Sequence, residues 1–374
     1  MYLKTKITSV LIALTLLVSV QSCKDDDVVP TPDNNTYSVP TTYNFTNVSY
    51  SGQTQRIGQL TELKTYLKTA NISGTSLDEE KLLAMFSNDA TKAGWSGTYE
   101  DSKQIKNKTF EAVQTVFEQL LKNIAASSMS TVAGSDGTAG VVPSNDNSKA
   151  YLLNDKGVEE GQVIEKGLMG AFIYYQICEI YTGSGKMDVD NETVTEGKGT
   201  AMEHHWDEAF GYFGVPLDFP TTTDNLAFIG SYCNKRDGVL KCNAPIMNAF
   251  LKGRAAISNK DMTGRDEAIA EVRKQLEKVP AGSAIHYLNS AMENFDDMAL
   301  RAHALSEAIG FIYGLQFNPN RSATTVQIGE VLTKIGGDVD ITKMNLYNTT
   351  KANIEAARDQ LADLMSMTEV KTEL

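Results

Sequence analysis

The sequence predicts an all-α fold: two related helical bundles that follow a signal peptide and a flexible tether. Three observations predict it. Apolar residues recur at helical spacing along most of the chain. Strand-like alternation is confined to Tyr43–Gly52, "YNFTNVSYSG". A ten-residue stretch at 204–213 is echoed at 303–312, as expected of a duplicated bundle.

Taken in order, the first 22 residues read as a signal peptide. Lys4 and Lys6 form a basic start, and Val10 to Val20 is an apolar run too short to span a bilayer as a helix. The run ends at Val20-Gln21-Ser22-Cys23, which resembles the lipobox of bacterial lipoproteins. That resemblance implies cleavage before Cys23 and lipidation of its thiol, hence a membrane anchor. Lys24-Asp25-Asp26-Asp27 resembles the acidic export signal of surface lipoproteins in the Bacteroidetes and implies an outer-membrane, surface-exposed location. Residues 23–42, rich in Pro, Asn, Asp and Thr, have little to bury and read as a lipid-anchored tether.

The helices follow. Ile57, Leu60, Leu63, Tyr66 and Leu67 share one face of a helix over 57–70. Ser76 with Glu79 three residues on predicts a capping box for the next. Further helices are expected at about 104–127, 157–182, 199–213, 243–257, 263–278, 283–318, 323–335 and 347–367. The bundles are expected to span 43–220 and 221–374. Long polar loops at 127–150 and 182–200 separate elements. The second loop holds Gly185-Lys186 without the remaining residues of a phosphate loop. It also holds Asp188, Asp190 and Glu192, but Thr193 and Gly199 stand where a regular calcium loop needs Gly and Glu.

Net charge narrows the partners. The chain carries 34 basic and 47 acidic residues, a net of −13. Removing the leader, with its two lysines and no acid, deepens this to −15. Such a chain is not a nucleic-acid binder, and its membrane contact is expected through the lipid alone. Cys178 lies in an apolar helical stretch and reads as a buried thiol. Cys233 and Cys242 bracket "NKRDGVLK" and could close a disulfide in an oxidising compartment. With no CxxC pair, a cysteine zinc site is not expected.

The candidate site lies in the repeated stretch. His204-His205-Trp206-Asp207-Glu208-Ala209-Phe210-Gly211-Tyr212-Phe213 and His303-Ala304-Leu305-Ser306-Glu307-Ala308-Ile309-Gly310-Phe311-Ile312 both obey H-x-x-x-E-A-[FI]-G-[FY]-[FI]. At about 100° per residue, His204 and Glu208 lie roughly 40° apart, and His205 about 60° beyond Glu208. All three can point one way, with Trp206, Phe210 and Phe213 opposite. On its own the first helix reads as amphipathic, with aromatics inward and His and Glu toward water. The second is apolar nearly all round, so its His303–Glu307 pair is expected to be buried and to need a partner or an ion. Gly211 and Gly310 each cost a helix about 1 kcal/mol, and close approach of the two copies would explain both.

From "YNFTNVSYSGQTQRIGQL" through "HALSEAIGFIYGLQFNP" the chain resembles a Bacteroidetes domain-of-unknown-function family (number 4856) within the wider imelysin-like group. The resemblance implies two related helical bundles and a surface or periplasmic role, possible uptake partners included. The group's signature is G-x-H-x-x-E. His205 and Glu208 match its H-x-x-E, but Glu203 stands at the Gly position. His204, His205, Glu208, His303 and Glu307 are therefore the candidate metal ligands, an N and O set suited to Fe or Zn. The function expected first is a surface lipoprotein binding a metal or small ligand between bundles, with a role in iron or nutrient uptake. The alternatives are a metallopeptidase and a non-catalytic structural or interaction lipoprotein. Ala209 after Glu208 removes the second histidine that the inverted zinc-peptidase motif requires.

Overall fold

Apolar spacing and side-chain caps set where the helices run. The structure, a computed structural model, describes Tyr37–Leu374; the signal segment, Cys23 and the tether up to residue 36 lie outside the described residues. The chain is engaged from Tyr37, whose hydroxyl donates to Asp261 at 2.8 Å. Helices α1 (Ser51–Thr69), α2 (Glu79–Ser87), α3 (Ala90–Ala93) and α4 (Gln114–Ser128) come first. A hairpin of β1 (Gly140–Pro143) and β2 (Ala150–Leu153) interrupts them, antiparallel with Gly140 opposite Leu153. Then follow α5 (Glu160–Leu168), α6 (Ser184–Met187), α7 (Ala201–Phe213), α8 (Phe228–Leu240) and α9 (Asn243–Ser258). The last are α10 (Met262–Glu293), α11 (Met298–Gly314), α12 (Thr325–Gly336) and α13 (Lys351–Leu364). None of the described helices is long and apolar enough to cross a membrane.

Several expectations are corrected. Tyr43–Tyr50 is irregular, with a turn at Thr46–Asn47, and pairs with no strand among the described residues; its alternation arises because Tyr43 is buried and Phe45 packs inward while Asn44 and Thr46 face out. The strands lie instead at the end of the loop expected at 127–150, β1 inside it and β2 from its last residue onward. The cap of α2 is Asp78, which accepts from the Lys81 amide, not Ser76. The break expected near Pro280 is absent, and α10 runs through it for 32 residues. A mid-helix proline removes one backbone bond, but Val279 to Ile285 is continuously buried, so packing on both flanks holds the helix together. The break falls at Asn294–Asp297, where Asp297 caps α11 through the Leu300 amide at 3.1 Å. The stretch "NKRDGVLK" between Cys233 and Cys242 belongs mostly to α8.

Helix α10 lies against α8, α9, α11 and α13, while α11 packs along α5. The packing of α11 on α5 and on the segment that follows α5 is close because it is built on glycine. A Cβ on Gly170 would run into the Cα of Gly314, and one on Gly310 would lie 2.5 Å from the Lys166 Cβ and 2.9 Å from the Gly167 nitrogen. Beyond α5 the chain continues as π-helix through Met169–Tyr174 and Gln176–Tyr181, a widened turn that places Tyr181 beside α7. Tyr37–Leu374 forms one compact unit.

Candidate ligand cavity

The first copy of the motif sits on α7, started by a reciprocal box in which Thr200 accepts from the Glu203 amide and Glu203 accepts from the Thr200 amide. Trp206, Phe210 and Phe213 are buried, as the spacing predicts. Glu208 is a hydrogen-bond hub. It pairs with His205 Nδ1 at 2.9 Å and accepts from Gln53 Nε2 at 2.8 Å and the Tyr181 hydroxyl at 3.2 Å. Burial opposes its charge, but the His205 and Gln53 bonds and the neighbouring imidazoles outweigh this and hold the carboxyl down at about 2. His204, the histidine aligned with His303, does not bond Glu208, and its Nδ1 is buried without a partner. Asp207 corrects the wet-face reading. It is fully buried and takes Arg254 Nε at 2.9 Å and the Tyr43 hydroxyl at 2.8 Å.

The second copy sits on α11, which is buried almost throughout, as expected. Its His303 bridges two carboxylates. Nδ1 meets Glu159 Oε2 at 2.6 Å, and Nε2 lies 3.5 Å from Glu307 Oε2. The Tyr151 ring stacks on the imidazole with centroids 4.2 Å apart, and Ser306 Oγ accepts from the Glu159 amide at 2.9 Å, so both partners are held in place. Burial works against a charge on His303, but the bond to Glu159 and the charges of Glu159 and Glu307 outweigh it and raise its pKa.

Beneath Glu307 lies Lys166, which the sequence reading missed. Its side chain is 3% exposed. The ammonium sits between Glu165 Oε1 at 2.9 Å and Glu307 Oε1 at 3.1 Å, with the Tyr232 ring centroid 5.4 Å away. Desolvation favours the neutral amine, yet the two carboxylates hold it charged and raise its pKa well above the usual lysine range. Glu165 also takes Lys64 at 3.1 Å. Burial would raise its pKa, but the Lys166 and Lys64 charges keep it low.

These groups line a cavity of about 630 Å³ walled by α1, α5, α8, α10 and α11. Its base is Lys166, Glu165, Glu307 and Gln162, its aromatic wall Phe228, Tyr232 and Tyr287, and its rim Lys64, Lys68 and Lys235, with His303 at one side. Rigid, desolvated charges in a concavity form a ready-made recognition surface.

The five predicted ligands are not gathered together. Glu208 draws its partners from its own helix, α1 and the π segment, and Glu307 from α5 and α8. The mid-helix glycines also diverge: Gly310 admits α5, whereas Gly211 admits the Tyr50 side chain. Around His303 the two carboxylates lie on opposite edges of one ring, a poor geometry for sharing an ion. Among the described residues no three His, Cys, Asp or Glu side chains converge as a metal ion requires. Asp190, from the calcium-like fragment, caps its own turn through the Glu192 and Thr193 amides. Cys233 and Cys242 face each other as buried thiols with sulfurs 3.5 Å apart.

A family model, Domain of unknown function (DUF4856), matches residues 35–368. The chain belongs to the DUF4856 family. No curated protein and no solved structure gives a significant match. The DUF4856 match takes in both motif copies and every wall of the cavity. Within the DUF4856 domain the missed site residues had one readable signal: Glu165-Lys166 is a charge pair inside "VIEKGLMGAFIYY", an otherwise apolar stretch where ions must find partners. Lys64, Lys235 and Tyr287 had none.

Proposed function

We propose that this protein is a lipid-anchored surface binding protein that takes a small polar ligand into the α5–α11 cavity. One observation carries the reading. Glu307 of the second motif copy joins Gln162, Glu165 and Lys166 of α5 to form the base of a 630 Å³ cavity, with charged groups already desolvated and fixed by one another. In this reading Glu307 of the motif, with Glu165 and Glu159 beside it, positions Lys166 and His303, and the imelysin-like H-x-x-E of His205 and Glu208 is a structural hub in the related helix. A small ligand is favoured over iron or zinc because the Lys166 ammonium occupies the place between Glu165 and Glu307 that a metal would need. The anchor rests on Cys23 and the export signal on Asp25–Asp27, with nutrient uptake as the broader role.

The test screens the purified protein by thermal shift against a library of small nutrients and against Fe and Zn, with elemental analysis in parallel. The reading expects stabilisation by at least one organic compound, lost on Glu307→Leu, and no stoichiometric metal. Stoichiometric iron or zinc retained through purification, with no organic hit, would refute it. In cells, Cys23→Ala should release the protein from the membrane fraction, and retention there would remove the anchor from the proposal.

A further inference from the structure

The charges around the cavity do not balance. Four lysines line it (Lys64, Lys68, Lys166 and Lys235) against two glutamates (Glu165 and Glu307). This surplus of positive charge stands on a chain whose net charge is −13, so the local field opposes the global one. The two acids are also already committed. Lys166 lies between them, and Lys64 shares Glu165. Lys68 and Lys235 form no ion pair within the described residues. They stand at the mouth, both exposed, and Lys235 lies 4.7 Å over the Tyr232 ring centroid. A cation on an aromatic face keeps its charge without a carboxylate, and that charge remains available to a ligand. Partial desolvation beside the cavity and the neighbouring Lys166 lower the Lys235 pKa; an incoming negative group would offset both effects.

A second observation sits deeper. Gln162 is 4% exposed and lines the same cavity, and its carboxamide oxygen has no hydrogen-bond partner. A buried acceptor left open costs about 1–3 kcal/mol, so its presence at a cavity base is explained by a donor that arrives with a ligand. Tyr232 and Tyr287, whose hydroxyls lie 3.2 Å apart, offer ring faces suited to the apolar side of a ring or chain.

We infer that the ligand is a small hydroxylated organic anion, whose carboxylate or phosphate meets Lys68 and Lys235 at the mouth while a hydroxyl donates to Gln162 below. This rests on the binding reading above and adds the ligand's charge class to it.

The test uses four probes of matched size: glucose, glucosamine, glucuronate and glucose 6-phosphate, each at 10 mM and constant ionic strength. Thermal shift and titration calorimetry are the readouts. Glucuronate or glucose 6-phosphate should raise Tm, and the preferred one of the two separates a carboxylate site from a phosphate site. A ligand present at ten times its Kd should give a rise of about 2 °C in a protein of this size. Lys68→Gln with Lys235→Gln, two exposed positions with little bearing on folding, should weaken binding at least about tenfold and flatten its salt dependence. Gln162→Leu should weaken the same probe without changing its salt dependence. No stabilisation by either acid overturns the inference. So does glucose or glucosamine binding as tightly as the acids and ignoring both lysines; in that case the cavity remains a binding site and only the charge class fails.

Discussion

Replacing Gly310 by alanine tests whether the motif's glycine exists for helix contact or is incidental. In an exposed helix interior, Gly→Ala gains about 1 kcal/mol from backbone entropy. At Gly310 the new methyl would lie 2.5 Å from the Lys166 Cβ, 2.9 Å from the Gly167 nitrogen and 3.2 Å from the Lys166 carbonyl carbon. These neighbours are backbone and Cβ atoms, so no side-chain rotation relieves the clash, and α5 and α11 must separate. Overpacking of this kind costs about 1–3 kcal/mol, and backbone involvement places it toward the upper end. After the propensity gain, a net loss of about 1–2 kcal/mol is expected. With an unfolding entropy of about 2 cal/mol/K per residue over the folded chain, that lowers Tm by roughly 1.5–3 °C. Gly238→Ala is the matched control. It lies in α8 with nothing within 4 Å of the new methyl, and should gain about 0.5 kcal/mol. Calorimetry and urea denaturation of both variants give the comparison. If Gly310→Ala stabilises as much as Gly238→Ala, the close-packing argument is wrong. Since the separation moves Lys166, Gly310→Ala should also weaken whatever the cavity binds.

Three further outcomes follow from buried charge. Glu160 is fully buried, and burial pushes its carboxyl up to about 7 from an ordinary 4.5. The folded state therefore holds a proton that the unfolded state has released, and stability should fall by about 3 kcal/mol as pH rises from about 4.5 to 7. Glu160→Gln should abolish that fall and gain stability at pH 8 but not at pH 4, and parallel urea-midpoint curves would contradict it. His303 has the same sign from the opposite charge. Its raised pKa gives a stabilising contribution that is complete below the unfolded value of about 6.5 and lost as pH climbs through the folded one. His303→Gln should thus cost more stability at pH 6 than at pH 9, and an equal cost at both would show the imidazole is not protonated. Arg254→Met strands Asp207, which is 0% exposed, and should cost about 3–5 kcal/mol; adding Asp207→Asn should recover part of it in urea melts, and no recovery would mean the loss is one of packing.

Helices with a clean apolar face were legible because local spacing decides them. Those around Trp206, Ile328 and Ile354 fall within a few residues of expectation, and the one around Leu60 ends as expected but starts six residues earlier, at Ser51. The failures have local causes too. Helix α8 buries Phe228, Ile229, Tyr232 and Cys233, a helical spacing hidden by Gly230, Gly238 and the "NKRD" run. Pro280 reads as a break because propensity outweighs packing when only the sequence is seen. The hairpin hides in a loop rich in Gly, Ser and Asn, since a four-residue strand leaves almost no pattern. The cavity was out of reach for a different reason. Lys64, Lys166, Lys235, Tyr287 and His303 come from five helices spread over 240 residues of sequence, and only the tertiary crossing brings them together.

The duplicated motif shows what a short repeat can and cannot carry. In both copies the glutamate accepts from a tyrosine hydroxyl, Tyr181 for the partly buried Glu208 and Tyr232 for the buried Glu307. In both copies the glycine admits a neighbour where a methyl would not fit. Those two roles depend only on the helix itself and on one packed neighbour, so ten residues suffice to encode them. The hydrogen-bond partner differs. Glu208 takes His205 from its own helix, whereas Glu307 takes Lys166 from α5. With His205 the motif closes on itself, leaving little charge to offer a ligand. With Lys166 it opens onto a cavity whose other walls supply two more uncommitted ammonium groups. The functional weight of the second copy therefore comes from what α5 and α8 bring to it.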